Sequence, residues 1–158
     1  MLKISDLVGL PVLEQSSCEQ IGEVQEVLIN IRQALVQAAV VTSFGWFTGK
    51  QALPLKQIVA VSNTDVLIAN KLELQIMTAD GELFADLLNR PLITEAGVKI
   101  GVLADLWFEL ATGIIEAYEV SDGVVTDLLE GRRKLPYKIS QNFNSDRIIV
   151  ADYAAKLL

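Results

Sequence analysis

One pattern is written twice along this chain, and the duplication limits the accessible folds more than any other feature. The stretch Ile21-Gly22-Glu23-Val24-Gln25-Glu26-Val27-Leu28-Ile29-Asn30 returns as Ile100-Gly101-Val102-Leu103-Ala104-Asp105-Leu106-Trp107-Phe108-Glu109. Each copy opens at a glycine and continues with alternating and β-branched apolar residues, the pattern of a half-buried strand. Each follows a proline and two apolar residues, Pro11-Val12-Leu13 and Pro91-Leu92-Ile93, then a polar turn. The order persists: Asp6-Leu7 before Pro11 returns as Asp86-Leu87 before Pro91, and Leu53-Pro54-x-Lys56 returns as Leu135-Pro136-x-Lys138. The apolar stretch 65–69 returns as 147–151. Short insertions separate the copies only in turns, where they are tolerated.

A chain of 158 residues would ordinarily suggest one domain, but the duplication predicts two, residues 1–77 and 82–158, joined near 78–81. Units of about 80 residues are marginal alone, so the copies are expected to lean on one another as a pseudo-dimer. Strands are expected from Pro11, over 22–31, 35–42, 52–55 and 66–69, and again in the second copy. A helical turn capped by Ser5 is expected over 3–8, a short helix over 82–89, and a last one over 153–158 capped by Asp152. Short strands without long helices between them predict an all-β chain, two small antiparallel barrels or sandwiches that hide their edges by closure.

Composition narrows the function classes. Hydrophobic content of 51% against 21% charged reads as a packed globule. No apolar run reaches the roughly 18 residues that span a bilayer; the richest, 35–47, is broken by Gln37, Thr42, Ser43 and Gly45. Met1-Leu2-Lys3-Ile4-Ser5-Asp6 has no signal-peptide anatomy, so a cytoplasmic location is expected. A net charge of -7 and a pI near 4.6 weigh against nucleic acid and anionic lipid. One cysteine, Cys18, allows no internal disulfide, and it has no histidine beside it to activate it. The absence of histidine removes the commonest metal ligand and near-neutral base, so neither a cofactor, a metal nor an enzyme is expected. Gly22 and Gly101 lack the second glycine and the Lys of a phosphate loop, and Ser121-Asp122-Gly123 is a β-turn without a calcium ladder.

The sequence Asp-Leu-x-x-x-Pro, Ile-Gly-x-x-x-acid, two apolar strands, Leu-Pro-x-Lys and a closing apolar strand resembles the PRC-barrel family, in two tandem copies covering nearly the whole chain. That family includes the cytoplasmic barrel of the photosynthetic reaction centre H subunit and the C-terminal domain of the bacterial ribosome maturation factor. The resemblance implies a six-stranded antiparallel barrel that binds other proteins and is usually not catalytic. The H subunit's membrane helix and the ribosome factor's RNA-facing N-terminal domain have no match in this sequence.

Candidate contact residues fall on corresponding loops. Aligning the Leu-Pro motifs places Leu128 and Leu129 on Trp46 and Phe47, Gly131 on Gly49 and Arg132 on Lys50. Each copy thus carries a bulky apolar pair, a glycine and a cation between two strands. Exposed, such a pair anchors a protein partner; folded back, it lids its own barrel or packs on the other copy. Arg132-Arg133-Lys134, the one dense basic cluster, either grips a phosphate or an acidic partner patch, or balances Asp127 and Glu130 in a solvated turn. Trp107 corresponds to Leu28 and is expected on the polar face with Asp105 and Glu109, as an inter-repeat contact, a homodimer surface or a ligand groove. Glu23, Glu26, Glu116, Glu119, Asp122 and Asp127 are expected on a solvated surface.

These readings converge on a non-catalytic adaptor or scaffold. Trp46, Phe47, Leu128 and Leu129 would anchor the partner, with Arg132 and Arg133 steering by charge. The resemblance implies as partner a photosynthetic or energy-converting membrane complex, met peripherally, or the assembling ribosome, reached through protein rather than RNA. The alternative is a small-ligand or proton-handling module built on carboxylates and the Trp107 face.

Overall fold

The structure, a computed structural model, describes residues 1–43, 50–70, 75–76, 81–123, 127–128, 130–144 and 146–157. In the first copy the elements are β1 (Leu2–Lys3), a 3-10 turn (Ile4–Asp6), β2 (Pro11–Glu14), β3 (Gln20–Asn30), β4 (Leu35–Ser43), β5 (Lys50–Pro54), a 3-10 turn (Leu55–Gln57), β6 (Ile58–Val61), β7 (Val66–Ile68) and β8 (Gln75–Ile76). The second copy repeats them as β9 (Glu82–Leu83), α1 (Phe84–Leu87), β10 (Pro91–Thr94), β11 (Lys99–Phe108), β12 (Ile115–Ser121), β13 (Arg133–Pro136), a 3-10 turn (Tyr137–Ile139), β14 (Ser140–Phe143), β15 (Ile148–Val150) and a 3-10 turn (Asp152–Lys156). Neither expected cap serves as one: Ser5 lies inside its turn, Asp152 begins its own, and the Asp152 carboxylate accepts from Ala96 N at 2.8 Å instead.

Two sheets result, one per copy. The first runs β6-β7-β2-β3-β4-β5-β8 with β9 added on β3; the second runs β13-β12-β11-β10-β15-β14 with β1 added on β11. Both are the expected tandem β architecture, with two refinements. Among the described residues the ends of each sheet are not hydrogen-bonded to each other, so the sheets curl without closing, and β2/β7 and β10/β15 pair in parallel. The opening follows from Pro54 and Pro136. Each ends its strand, and the 3-10 turn that follows carries the chain, at about 2 Å per residue, across the mouth to the far edge of the sheet.

The curl itself comes from bulges at corresponding places. The β3/β4 register shifts between Val24 and Glu26 and between Leu28 and Ile29, and the β11/β12 register between Leu103 and Asp105 and between Trp107 and Phe108. Gly22 and Gly101 permit close approach of the neighbouring strand: a Cβ would lie 2.6 Å from Thr42 O in one and 2.7 Å from Ser121 O in the other.

The copies exchange their first strands. β1 of the first copy pairs with β11 of the second, Leu2 opposite Phe108 and Lys3 opposite Trp107. Reciprocally, β9 pairs with β3, Leu83 opposite Leu28 and Glu82 opposite Ile29. The β3–β4 and β11–β12 hairpin tips also meet, Val36 N donating to Gly113 O and Ile115 N to Ala34 O, both at 2.8 Å. Buried residues of both copies, from Ile4 and Leu7 to Leu106, Phe108 and Tyr118, form one apolar cluster. Shared burial is how two marginal units reach a sufficient core.

Candidate functional site

The loop from β12 to β13 presents the side chains expected to meet a partner. Leu128 is 82% exposed, far beyond what a leucine needs for a turn. Its neighbours are held by ion pairs. Arg132 reaches Asp127 at 3.4 Å and Glu119 at 3.3 Å, and Arg133 pairs with Asp122. The Ser121 hydroxyl donates to Asp127 at 2.7 Å and, with Arg132 adding to it, holds that carboxyl below the usual range. The basic cluster therefore balances Asp122 and Glu119 as well as Asp127. Trp46, Phe47 and Leu129 lie outside the described residues.

Around Trp107 side chains of both copies meet. Lys3 Nζ sits 5.0 Å from the centroid of its ring and Lys134 Nζ 4.1 Å from it, so the indole has a cation from each copy against it. Beside it, Asp105 is 1% exposed and Glu119 5%, and the two are directly opposite on β11 and β12. The sequence reading put Glu119 on a solvated surface and Asp105 on an open polar face; both are buried. The bulge before Asp105 displaces the alternation, and the segment 2–6 of the other copy lies across the face.

Burial is sustained by dedicated partners. Lys3 Nζ pairs with Glu119 Oε2 at 2.6 Å while Arg132 takes Oε1. Asp105 accepts from the Ser5 hydroxyl, from Ser5 N at 3.3 Å and from Leu106 N at 2.8 Å. Loss of solvent nonetheless lifts the Asp105 carboxyl above its ordinary range, with Glu119 adding to the rise. Sequence did hold a signal for this cluster. In the first sheet Leu83, lent by the second copy, stands where the second sheet receives Lys3, and Val40 stands where it has Glu119. Opposite charges had replaced two apolar residues at matched positions.

Next to this cluster lies a shallow, open depression of about 280 Å³ bounded by Met1, Glu116, Ala117, Lys134 and Pro136. Among the described residues no three His, Cys, Asp or Glu side chains gather as a metal site, and Cys18 is exposed in a turn. The two buried carboxylates are held by fixed donors and cations, which suits them to holding β1 in place.

A family model for the PRC-barrel domain matches residues 1–76 and 79–157. The chain belongs to the PRC-barrel family. It carries the domain twice, and PRC-barrel domains are generally non-catalytic modules, often used for protein interaction. No curated protein matches the chain. Among the described residues of this tandem PRC-barrel chain, no helix is long and apolar enough to cross a membrane.

Proposed function

We propose that this tandem PRC-barrel chain is a non-catalytic adaptor that docks on another protein through its β12–β13 loop. The observation that carries the reading is Leu128, exposed between β12 and β13 in the segment that also holds Arg132 and Arg133, which are tied to Asp127 and Asp122. An exposed apolar side chain with charged residues near it in sequence is the usual composition of an interface anchor. Leu129, Trp46 and Phe47 complete the proposed contact from the same loop and its counterpart. The PRC-barrel resemblance carries two partner classes, a photosynthetic or energy-converting membrane complex and the assembling ribosome. The ligand or proton-handling alternative draws on Asp105 and Glu119, whose fixed partners favour a structural task.

Affinity purification with cross-linking from the native cell tests the reading. A partner captured by the wild-type chain is expected to fall at least tenfold with Leu128→Ala plus Arg132→Ala, the fold itself retained by circular dichroism. Undiminished capture by that variant would sink the reading.

A further inference from the structure

The duplication supplies an internal comparison that points to a second contact. In the first copy β5 has neighbours on both edges: β4 on one, and on the other β8, antiparallel, with Gln51 opposite Ile76 and Ala52 opposite Gln75. The corresponding strand of the second copy, β13, pairs with β12 alone among the described residues. Arg133 and Lys134 stand where Gln51 and Ala52 stand, as Ala117 opposite Pro136 and Ala38 opposite Pro54 establish.

The backbone of that edge is set up to receive a strand. Pro136 has no N–H to offer β12, so the antiparallel alternation is satisfied with Arg133 and Leu135 turned toward β12. The N–H and C=O of Lys134 then point away from the sheet, as those of Ala52 do toward β8. From this edge we infer that β13 is a docking site for an extended acidic segment of a partner protein, added antiparallel as a further strand. The inference rests on the adaptor reading and names the chemistry of its partner.

Charge selects the occupant. Arg132 keeps Glu119 and Asp127 and Arg133 keeps Asp122, but Lys134, exposed on this edge, has no carboxylate within ion-pair distance among the described residues. A second copy laid on this edge would set Arg133 and Lys134 against their own equivalents, and like charges directly opposite are unfavourable. A carboxylate opposite Lys134 would find a cation with no acidic partner among the described residues, and one opposite Arg133, on the other face of the ribbon, would share a cation with Asp122. On the Lys134 face the incoming strand would run over the depression between Met1, Ala117 and Pro136, which has room for an apolar side chain. Backbone pairing supplies affinity in such strand addition and side chains opposite the edge supply selectivity.

The test uses the full chain and a synthetic peptide copying residues 71–78, with Gln75→Glu and Ile76→Glu so that acids face Lys134 and Arg133. Binding is expected to slow hydrogen exchange of the Lys134 amide at least tenfold. It is expected to weaken about tenfold with Arg133→Glu plus Lys134→Glu, and to be lost when the peptide is N-methylated at position 75. No binding at accessible peptide concentrations, binding without protection at Lys134, or indifference to N-methylation overturns strand addition. The loop reading is judged separately, by whether Leu128→Ala plus Arg132→Ala still weakens capture of the native partner.

Discussion

Leu35 of the first copy and Ile114 of the second form an antiparallel bridge, and each is the other's counterpart in the duplication. A residue paired with its own equivalent marks a local two-fold axis, so the molecule is a homodimer-like arrangement made within one chain. The flanking bonds, Val36 N to Gly113 O and Ile115 N to Ala34 O, exchange under the same operation.

The symmetry is broken at the turn residue, and that gives a stability test. Gly113 has φ +74 and no room for a side chain, since a Cβ would lie 2.6 Å from Val36 O. Its counterpart Ala34 adopts φ +55 with its methyl group in place. Gly113→Ala is expected to destabilise by about 1–3 kcal/mol through left-handed backbone strain and the clash. Ala34→Gly is expected to change stability by no more than about 1 kcal/mol, because relief of the strain is set against loss of the methyl group's packing on the core. Urea unfolding of both variants checks this, and equal effects from the two would refute it.

The Lys3–Glu119 pair stands where the first sheet has Leu83 and Val40. Removing Lys3 leaves the buried Glu119 with Arg132 alone, and removing Glu119 leaves the half-buried Lys3 ammonium without a carboxylate. Lys3→Leu or Glu119→Val alone is expected to cost about 2–3 kcal/mol, the lower end for a buried pair because Lys3 keeps some solvent. The double variant imports the apolar solution already used across the axis and is expected to regain that loss or exceed it. A double-mutant cycle by chemical denaturation measures the coupling, and simple additivity would count against a buried pair.

Sequence carried the repeat, the strand order and the tandem architecture because each follows from local alternation and turn chemistry. It did not carry the exchange of β1 and β9, since a two-residue strand such as Leu2–Lys3 has no period to read. Its partner is chosen by burial of Ile4 and Leu7, a tertiary effect. The burial of Asp105 was hidden for a related reason: alternation assigns faces only until a bulge intervenes, and β11 is bulged beside that residue. The parallel β2/β7 and β10/β15 contacts were equally invisible, because alternation is the same in either direction. Of the candidate contact residues, the exposure of Leu128 answers to no local rule at all.

Asp105 offers a pH test with a defined sign. Its folded pKa is raised, chiefly by burial, above the ordinary value near 4. Its contribution is therefore fully present below that value and declines as pH rises through the higher folded one. Asp105→Asn stays neutral throughout and can still accept from Ser5 N and Leu106 N. Relative to wild type the variant is expected to gain stability between pH 4 and pH 7, whatever the offset at pH 4. Paired thermal melts across that range check it, and a difference independent of pH would show that the carboxylate is not destabilised by burial.

Tyr137 reports on the contact between copies from the alkaline side. Its hydroxyl donates to Ile31 O in the other copy, and its ring stacks on Tyr118 at 5.2 Å between centroids. Tyr137→Phe leaves the Ile31 carbonyl without that donor, an expected loss of about 1–2 kcal/mol at pH 7. Burial also pushes the Tyr137 pKa up to about 12, against about 10 in the unfolded chain. A raised folded value means that its stabilisation is complete below pH 10 and fades as pH approaches 12, since the unfolded chain ionises first. The phenylalanine variant lacks that loss, so its deficit at pH 7 is expected to shrink by pH 11.5. Tyr118, whose pKa is raised chiefly by burial and further by Tyr137, weakens both proteins in alkali, and less so the variant, which shrinks the deficit in the same direction. Unfolding free energies at pH 7, 10 and 11.5 decide the matter: a deficit that stays constant would mean that the Tyr137 hydroxyl is not held in the contact between the copies.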